Sequence, residues 1–282
     1  MPVEYYRTPD FSGFELGDYP QAMLPIRTLR GCFWGKCRFC TYPYISGEFA
    51  LPDPEFVINS IKELQKKYNV SRVEFIDSSV PAVFLKRISE KIVENGLRIG
   101  WNCRADFQDE FKNIEFVKLL KNSGCESLSL GVESGNNRII RYMNKLQRDR
   151  DTMLEIIEAL SSQGIIPVIY AMLGFPTETR PEAEETIEFV MRLKREYRCV
   201  LTGVAVFNLL EHTYVFNNPG EFKINKIHEG YHNAFQGYGR RFAVSEGLSR
   251  KEAHSLRRKA NLFIKYPFLH AVAKTLCRTR LP

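Results

Sequence analysis

Between residues 24 and 208, short runs of apolar and β-branched residues alternate with longer stretches whose apolar positions recur every three or four residues. The first run is 24–30. Asp53-Pro54 then marks a helix start, a capping side chain followed by proline at the first helical position. Val57, Ile61, Leu64 and Tyr68 follow at i, i+4, i+7 and i+11, which places them on one helix face. The run 71–77 comes next, then a helix carrying Leu85, Ile88 and Ile92 that stops at Gly96. Residues 97–104, 127–133, 167–174 and 199–208 read as four further strands. Helices are expected up to Gly124 and over 136–144, 151–163 and 181–196.

Six strand–helix units of about 30 residues match the length of right-handed βαβ crossovers. They predict an α/β fold, a partial (β/α)6 parallel barrel, with an open doubly wound sheet as the alternative. In a parallel barrel the chemistry gathers at the C-terminal ends of the strands. Asp77 ends the second strand, Arg104 the third, Glu133 the fourth, Gly174 the fifth and Asn208 the sixth, while a group of cysteines follows the first.

Charge and cysteine usage refine this picture. The net charge is +7 over 282 residues, but residues 238–282 hold eleven Lys and Arg against Glu246 and Glu252. The basic character therefore belongs to the C-terminal stretch, expected as a mostly helical appendage over 226–282 beside a core at 24–225. Its Arg240, Arg241, Arg250, Lys251, Arg257, Arg258 and Lys259 would meet an anionic partner (RNA, an acidic peptide or a membrane surface) or form a solvated helix face. The start of the chain shows no basic n-region and no apolar h-region, and no apolar run approaches the ~18 residues of a membrane span. Seven cysteines in uneven spacing fit a cytoplasmic metal or cluster site better than a disulfide framework.

Cys32, Cys37 and Cys40 stand in the segment Arg30-Gly-Cys-Phe-Trp-Gly-Lys-Cys-Arg-Phe-Cys40, with the spacing C-x4-C-x2-C. Three thiolates on one short loop can hold three irons of a cubane and leave the fourth open to a ligand. A structural zinc site is the competing reading; it needs four ligands. The nearest histidine in sequence is His212, and Cys103 would be a distant fourth donor.

The loop resembles that of radical S-adenosylmethionine (SAM) enzymes, with one residue more than their commoner C-x3-C-x2-C. Phe33-Trp34-Gly35 is more similar to the cobalamin-dependent branch, and residues 9–19 resemble the linker that precedes the barrel in that branch. Gly131-Val-Glu-Ser-Gly135 with Met143-Asn-Lys145 resembles the family's fourth-strand region, and Leu173-Gly-Phe-Pro-Thr-Glu-Thr179 its glycine-rich turn after strand five. The resemblance implies a [4Fe–4S] cluster on Cys32, Cys37 and Cys40, with SAM chelating the open iron. It implies SAM contacts by Phe39, Glu133, Ser134, Arg104 and Gly174, and an electron donor such as flavodoxin or ferredoxin. One-electron reduction would break the sulfonium C–S bond, and the resulting 5′-deoxyadenosyl radical would take a hydrogen atom from an unactivated C–H position, with methylation as one outcome. The cobalamin-binding domain that relatives carry ahead of the barrel is expected to be missing here, so that cobalamin would come from a separate subunit or go unused. The alternative is a non-catalytic subunit or RNA-binding module with a structural iron–sulfur or zinc site.

His228-Glu229-Gly230-Tyr231-His232 matches the zinc-protease pattern H-E-x-x-H. That chemistry needs a stable helix, which Gly230 weakens by up to ~1 kcal/mol. A surface helix without metal is the expectation.

Overall fold

The computed structural model describes residues 7–19, 22–147, 149–231 and 239–266. Strands β1 (Leu24–Ile26), β2 (Arg72–Phe75), β3 (Gly100–Ala105), β4 (Cys125–Glu133), β5 (Ile166–Leu173) and β6 (Val200–Val206) form one sheet in sequence order. The pairs β1–β2, β2–β3 and β3–β4 are parallel, with Leu24 opposite Val73, Phe75 opposite Cys103 and Arg104 opposite Ser129. Helices α1 (Tyr42–Ser46), α2 (Pro54–Tyr68), α3 (Ala82–Glu94), α4 (Ile114–Asn122), α5 (Asn137–Tyr142), α6 (Arg150–Ser162) and α7 (Arg180–Glu196) connect them. The chain thus has the parallel α/β class expected from its periodicity. After β6 come α8 (Tyr214–Asn217), an antiparallel hairpin of β7 (Ile224–Tyr231) and β8 (Arg240–Val244), and α9 (Arg250–Lys265).

Local chemistry accounts for these elements. Asp53 caps α2 by accepting from the Glu55 N–H at 2.8 Å, and Pro54 occupies the first turn, where a missing N–H does no harm. Thr179 and Glu182 close a reciprocal capping box at α7, as Ser249 and Glu252 do at α9. From Leu128 on, β4 alternates: Leu128, Leu130 and Val132 are buried, whereas Ser129, Gly131 and Glu133 face the more accessible side. The same holds in β5, where Ile169, Ala171 and Leu173 are buried and Tyr170 is exposed. One sheet face is therefore packed and the other carries the polar and chemically useful side chains.

Two compact units organise these elements. In the first, which includes 42–130 and 151–168, α2 and α3 bury Ile58, Ile61, Leu85 and Ile88 completely. Phe75 stacks on Trp101 with centroids 5.1 Å apart, and the Trp101 indole donates to the Ser123 carbonyl at 3.0 Å, so a large apolar side chain is buried with its one polar atom satisfied. In the second, which includes 37–41, 131–150 and the chain from Ile169 on, Ile139, Met143, Phe175, Phe207, Val215 and Phe222 form the core.

Two expectations change. The H-E-x-x-H stretch is not helical: His228 and Glu229 are exposed on β7, whose period of two cannot bring i and i+4 to one metal as a helix does, and His232 lies outside the described residues. The basic C-terminal stretch supplies the helix α9, but the hairpin ahead of it was not anticipated. No helix among the described residues is long and apolar enough to cross a membrane.

Candidate cofactor site

The stem of the cysteine loop is fixed within the first unit. Arg30 and Ala50 exchange both backbone hydrogen bonds at 3.0 Å, closing the base of the loop. Just ahead of that base, the buried carboxylate of Asp77 accepts from Thr28 N–H at 2.9 Å, the Thr28 hydroxyl at 2.6 Å and Leu29 N–H at 3.1 Å. Burial pushes the Asp77 carboxyl above its ordinary value, while these hydrogen bonds pull it back. Asp77, expected at the end of the second strand, lies two residues beyond β2 and holds the chain that leads into Cys32. The Ser78 hydroxyl adds a bond to the Gly31 carbonyl at 3.1 Å.

The later part of the loop, 37–41, is fixed within the second unit. Arg38 N–H donates to the Met143 carbonyl at 2.9 Å, and the Arg38 carbonyl accepts from Val215 N–H at 3.1 Å. The Arg38 guanidinium lies 5.5 Å from the ring centre of Tyr142, 5.1 Å from Tyr214 and 5.7 Å from Phe222, and pairs with Glu221 at 2.8 Å. An arginine whose plane is held by three rings and a carboxylate is a strong anchor, because stacking and the ion pair restrict the same group. It stands directly between Cys37 and Phe39.

Donor chemistry separates the loop cysteines from the others. Cys32, Cys37 and Cys40 are half-buried, and none of the six described cysteines is in a disulfide. Cys103, Cys125 and Cys199 are buried. Burial pushes the Cys103 thiol well up, and it holds Cys125 up too and raises Cys199 to about 12, so all three stay protonated. Among the described residues no group of three or more His, Cys, Asp or Glu side chains is placed so that it could hold a metal ion. The loop offers three half-buried thiols, the donor type that an iron–sulfur cluster takes.

In the second unit a cavity of about 490 Å³ is lined by Phe39, Glu133, Tyr170, Met172, Asn208 and Asn261, among others. Glu133 adopts a left-handed backbone at φ 60°, rare for a residue with a side chain, and its carboxylate lies 3.7 Å from the ammonium of buried Lys145. Gly131 makes this placement possible: a Cβ there would lie 2.4 Å from Glu133 Oε1 and 2.9 Å from Lys145 Nζ. Phe39 and Glu133 thus line one cavity, and Lys145 pairs with Glu133.

The turn after β5 is closely packed. Gly174, at φ 78°, sits so close to α9 that a Cβ would come 2.7 Å from that of Ala253, and its N–H donates to Glu178 Oε2. Burial raises the Glu178 carboxyl to about 8, and its Oε1 has no hydrogen-bond partner among the described residues. Arg138 clamps the turn through the Thr177 carbonyl at 2.9 Å and a two-pronged pair with Glu182 at 2.6 and 2.7 Å. Ser134 is fully buried; its hydroxyl pairs with Thr186 at 3.0 Å and accepts from Asn136 N–H at 3.1 Å, so its side chain ties the segment after β4 to α7. Arg104 belongs to the first unit, exposed near the end of β3.

The sequence profile described as the Radical SAM superfamily matches residues 26–190, and the chain belongs to that superfamily. Membership implies an enzyme that works with a [4Fe–4S] cluster and SAM. An uncharacterized methyltransferase of Pyrococcus horikoshii is 29% identical over 176 residues, 61% of this chain and 37% of that protein. Bacteriochlorophyllide d C-12(1)-methyltransferase of Chlorobaculum tepidum is 27% identical over 203 residues, 70% of this chain and 44% of that protein. The chain therefore spans less than half of either relative. Among solved structures, the radical SAM methyltransferase TsrM of Kitasatospora setae, with cobalamin and a [4Fe–4S] cluster bound, superposes with a TM-score of 0.60 at 17% identity, over 69% of this chain and 36% of that one. The cobalamin-dependent SAM radical enzyme OxsB gives 0.65 at 15% identity, over 92% and 44%. Both likenesses are of fold.

Proposed function

We propose that this chain binds a [4Fe–4S] cluster through Cys32, Cys37 and Cys40 and cleaves SAM reductively to functionalise an unactivated C–H position, methylation being the outcome its relatives favour. The observation that carries this reading is the loop itself: three accessible thiols between two anchored ends, in a family whose chemistry requires three cysteines and an open iron. Held by Cys32, Cys37 and Cys40, the cluster would supply the one-electron reduction that cleaves the sulfonium C–S bond of SAM and starts radical chemistry on the substrate, the electron coming from a flavodoxin- or ferredoxin-type donor.

The chain's own residues orient and enclose. Arg38 and Asp77 hold the two ends of the loop. Phe39 offers an apolar face to the adenine, and Glu133, kept in place by Lys145 and Gly131, accepts from the ribose hydroxyls or the methionine ammonium. Gly174 presents backbone at the adenine side, the segment at Ser134 shapes the turn beside it, and Arg104 receives the methionine carboxylate. Cobalamin, where used, comes from a cobalamin-binding domain or subunit, and the setting is the cytoplasm, where cysteines stay reduced.

The test is anaerobic reconstitution with iron and sulfide, followed by SAM and dithionite, with 5′-deoxyadenosine measured by chromatography. Product in the wild type and none in Cys37→Ala is expected. Iron loading without SAM cleavage, even with a cobalamin-binding partner present, would leave only a structural cluster.

A further inference from the structure

Part of the basic C-terminal stretch turns inward. On α9, Arg250, His254, Arg257 and Asn261 recur at i, i+4, i+7 and i+11 and share one helix face. Contacts at both ends lay that face along β6. Asn261 accepts from Val204 N–H at 2.8 Å and donates to the Val204 carbonyl at 3.3 Å, taking the place of a neighbouring strand at the edge of the sheet. Eleven residues earlier, Arg250 donates from Nη2 to Asn208 Oδ1 at 3.3 Å. Asn208 and Asn261 both line the cavity that holds Phe39 and Glu133.

Among the described residues no acid pairs with Arg250 or Arg257. Arg250 Nη1 and Arg257 Nε are buried without a hydrogen-bond partner among the described residues. Burial, and then the like charge of Arg241, hold the Arg250 guanidinium below its ordinary value. As the first residue of α9, Arg250 also meets the positive end of the helix dipole. Nearby acids serve other cations: Glu211 pairs with Arg240 at 2.7 Å, Glu246 with Lys223 at 3.6 Å and Glu252 with Arg180 at 3.7 Å. Residues 232–238 and 267–282 contain no Asp or Glu. Burial, a like charge and a helix dipole all oppose this cation, and a buried guanidinium nitrogen without an acceptor is costly.

We infer that Arg250, backed by Arg257 and Asn208, receives an oxyanion group carried by the substrate, so that the substrate is an organic anion whose carboxylate or phosphate docks beside the C-terminal end of β6. The guanidinium fork matches either group. The inference deepens the proposed radical SAM reading, on which it rests for the word substrate; the anion site itself is tested without turnover.

Isothermal titration of the full chain, reconstituted with iron and sulfide and kept without reductant, uses inorganic phosphate and succinate as probes at ionic strength fixed with chloride. Saturable one-to-one binding of either probe is expected, at least tenfold weaker in Arg250→Gln and unchanged in Lys251→Gln, an exposed neighbour. Equal binding by wild type and R250Q, or none by the wild type, overturns the site. Should R250Q fail to fold, Arg250→Lys, which keeps the charge and loses the fork, is expected to bind at least threefold more weakly; equal affinity overturns the site. A second arm adds saturating SAM: binding that persists assigns the group to the substrate, and displacement by SAM assigns it to the methionine carboxylate and overturns the substrate claim. A dead SAM-cleavage assay beside intact anion binding would sink the radical reading alone.

Discussion

The guanidinium of Arg38 lies 5.1 Å from the ring centre of Tyr214, and both side chains reach Glu221, Arg38 at 2.8 Å and the Tyr214 hydroxyl at 2.9 Å. A residue inside the cysteine motif is thereby fastened to a helix more than 170 positions later. With its ring contacts and a partly exposed ion pair contributing about 1.4 kcal/mol together, Arg38→Ala should release the loop. Chelator extraction of iron from the reconstituted protein should run roughly tenfold faster, the rate equivalent of that energy. Arg38→Lys should fall between, and extraction at the wild-type rate in R38A would remove Arg38 from the account.

Asp77 holds the other end. Asp77→Ala leaves the Thr28 and Leu29 N–H groups without their acceptor, at about 1–3 kcal/mol. The melting temperature should drop by roughly 2–4 °C per kcal/mol for a chain of this size. An unchanged melting curve would show that the clamp contributes nothing.

Gly131→Ala tests the placement of Glu133. The added methyl meets the flexible ends of Glu133 and Lys145, so stability should stay within about 1 kcal/mol. SAM affinity, read by equilibrium dialysis on the reconstituted protein, should fall about tenfold as the carboxylate is displaced, equivalent to ~1.4 kcal/mol. Unaltered affinity would mean that Glu133 does not touch SAM.

Glu178 gives the fold a pH signature. Its carboxyl titrates at about 8 in the folded chain against an ordinary 4.5. Over that window the folded state keeps a proton that the unfolded chain has lost, so stability falls as pH rises. Glu178→Gln, neutral throughout and still able to accept from Gly174, should flatten that slope and raise the melting temperature at pH 8 by on the order of 3 °C. A melting profile as steep as that of the wild type would contradict this.

What the sequence revealed follows from the range of each interaction. The strand–helix alternation was legible because each element buries one stripe, and the Asp53-Pro54 start because capping is local. Phe39 and Glu133 were found because motif and strand end coincide. Arg38 escaped notice because Tyr142, Tyr214 and Phe222 lie 104 to 184 residues away along the chain. Ser134 looked available, yet its hydroxyl is taken by Thr186, 52 positions on. The β7–β8 hairpin was missed because shifts of register between Ile224 and Lys226 and again before Tyr231 break the period of two.

Low-temperature electron paramagnetic resonance on the anaerobically reconstituted, dithionite-reduced chain, with and without SAM, tests the cluster assignment most directly. The account predicts a reduced-cluster signal whose g values move when SAM binds the open iron, and no such signal in Cys37→Ala. A wild-type signal indifferent to SAM, or a C37A sample that behaves like the wild type, would contradict it.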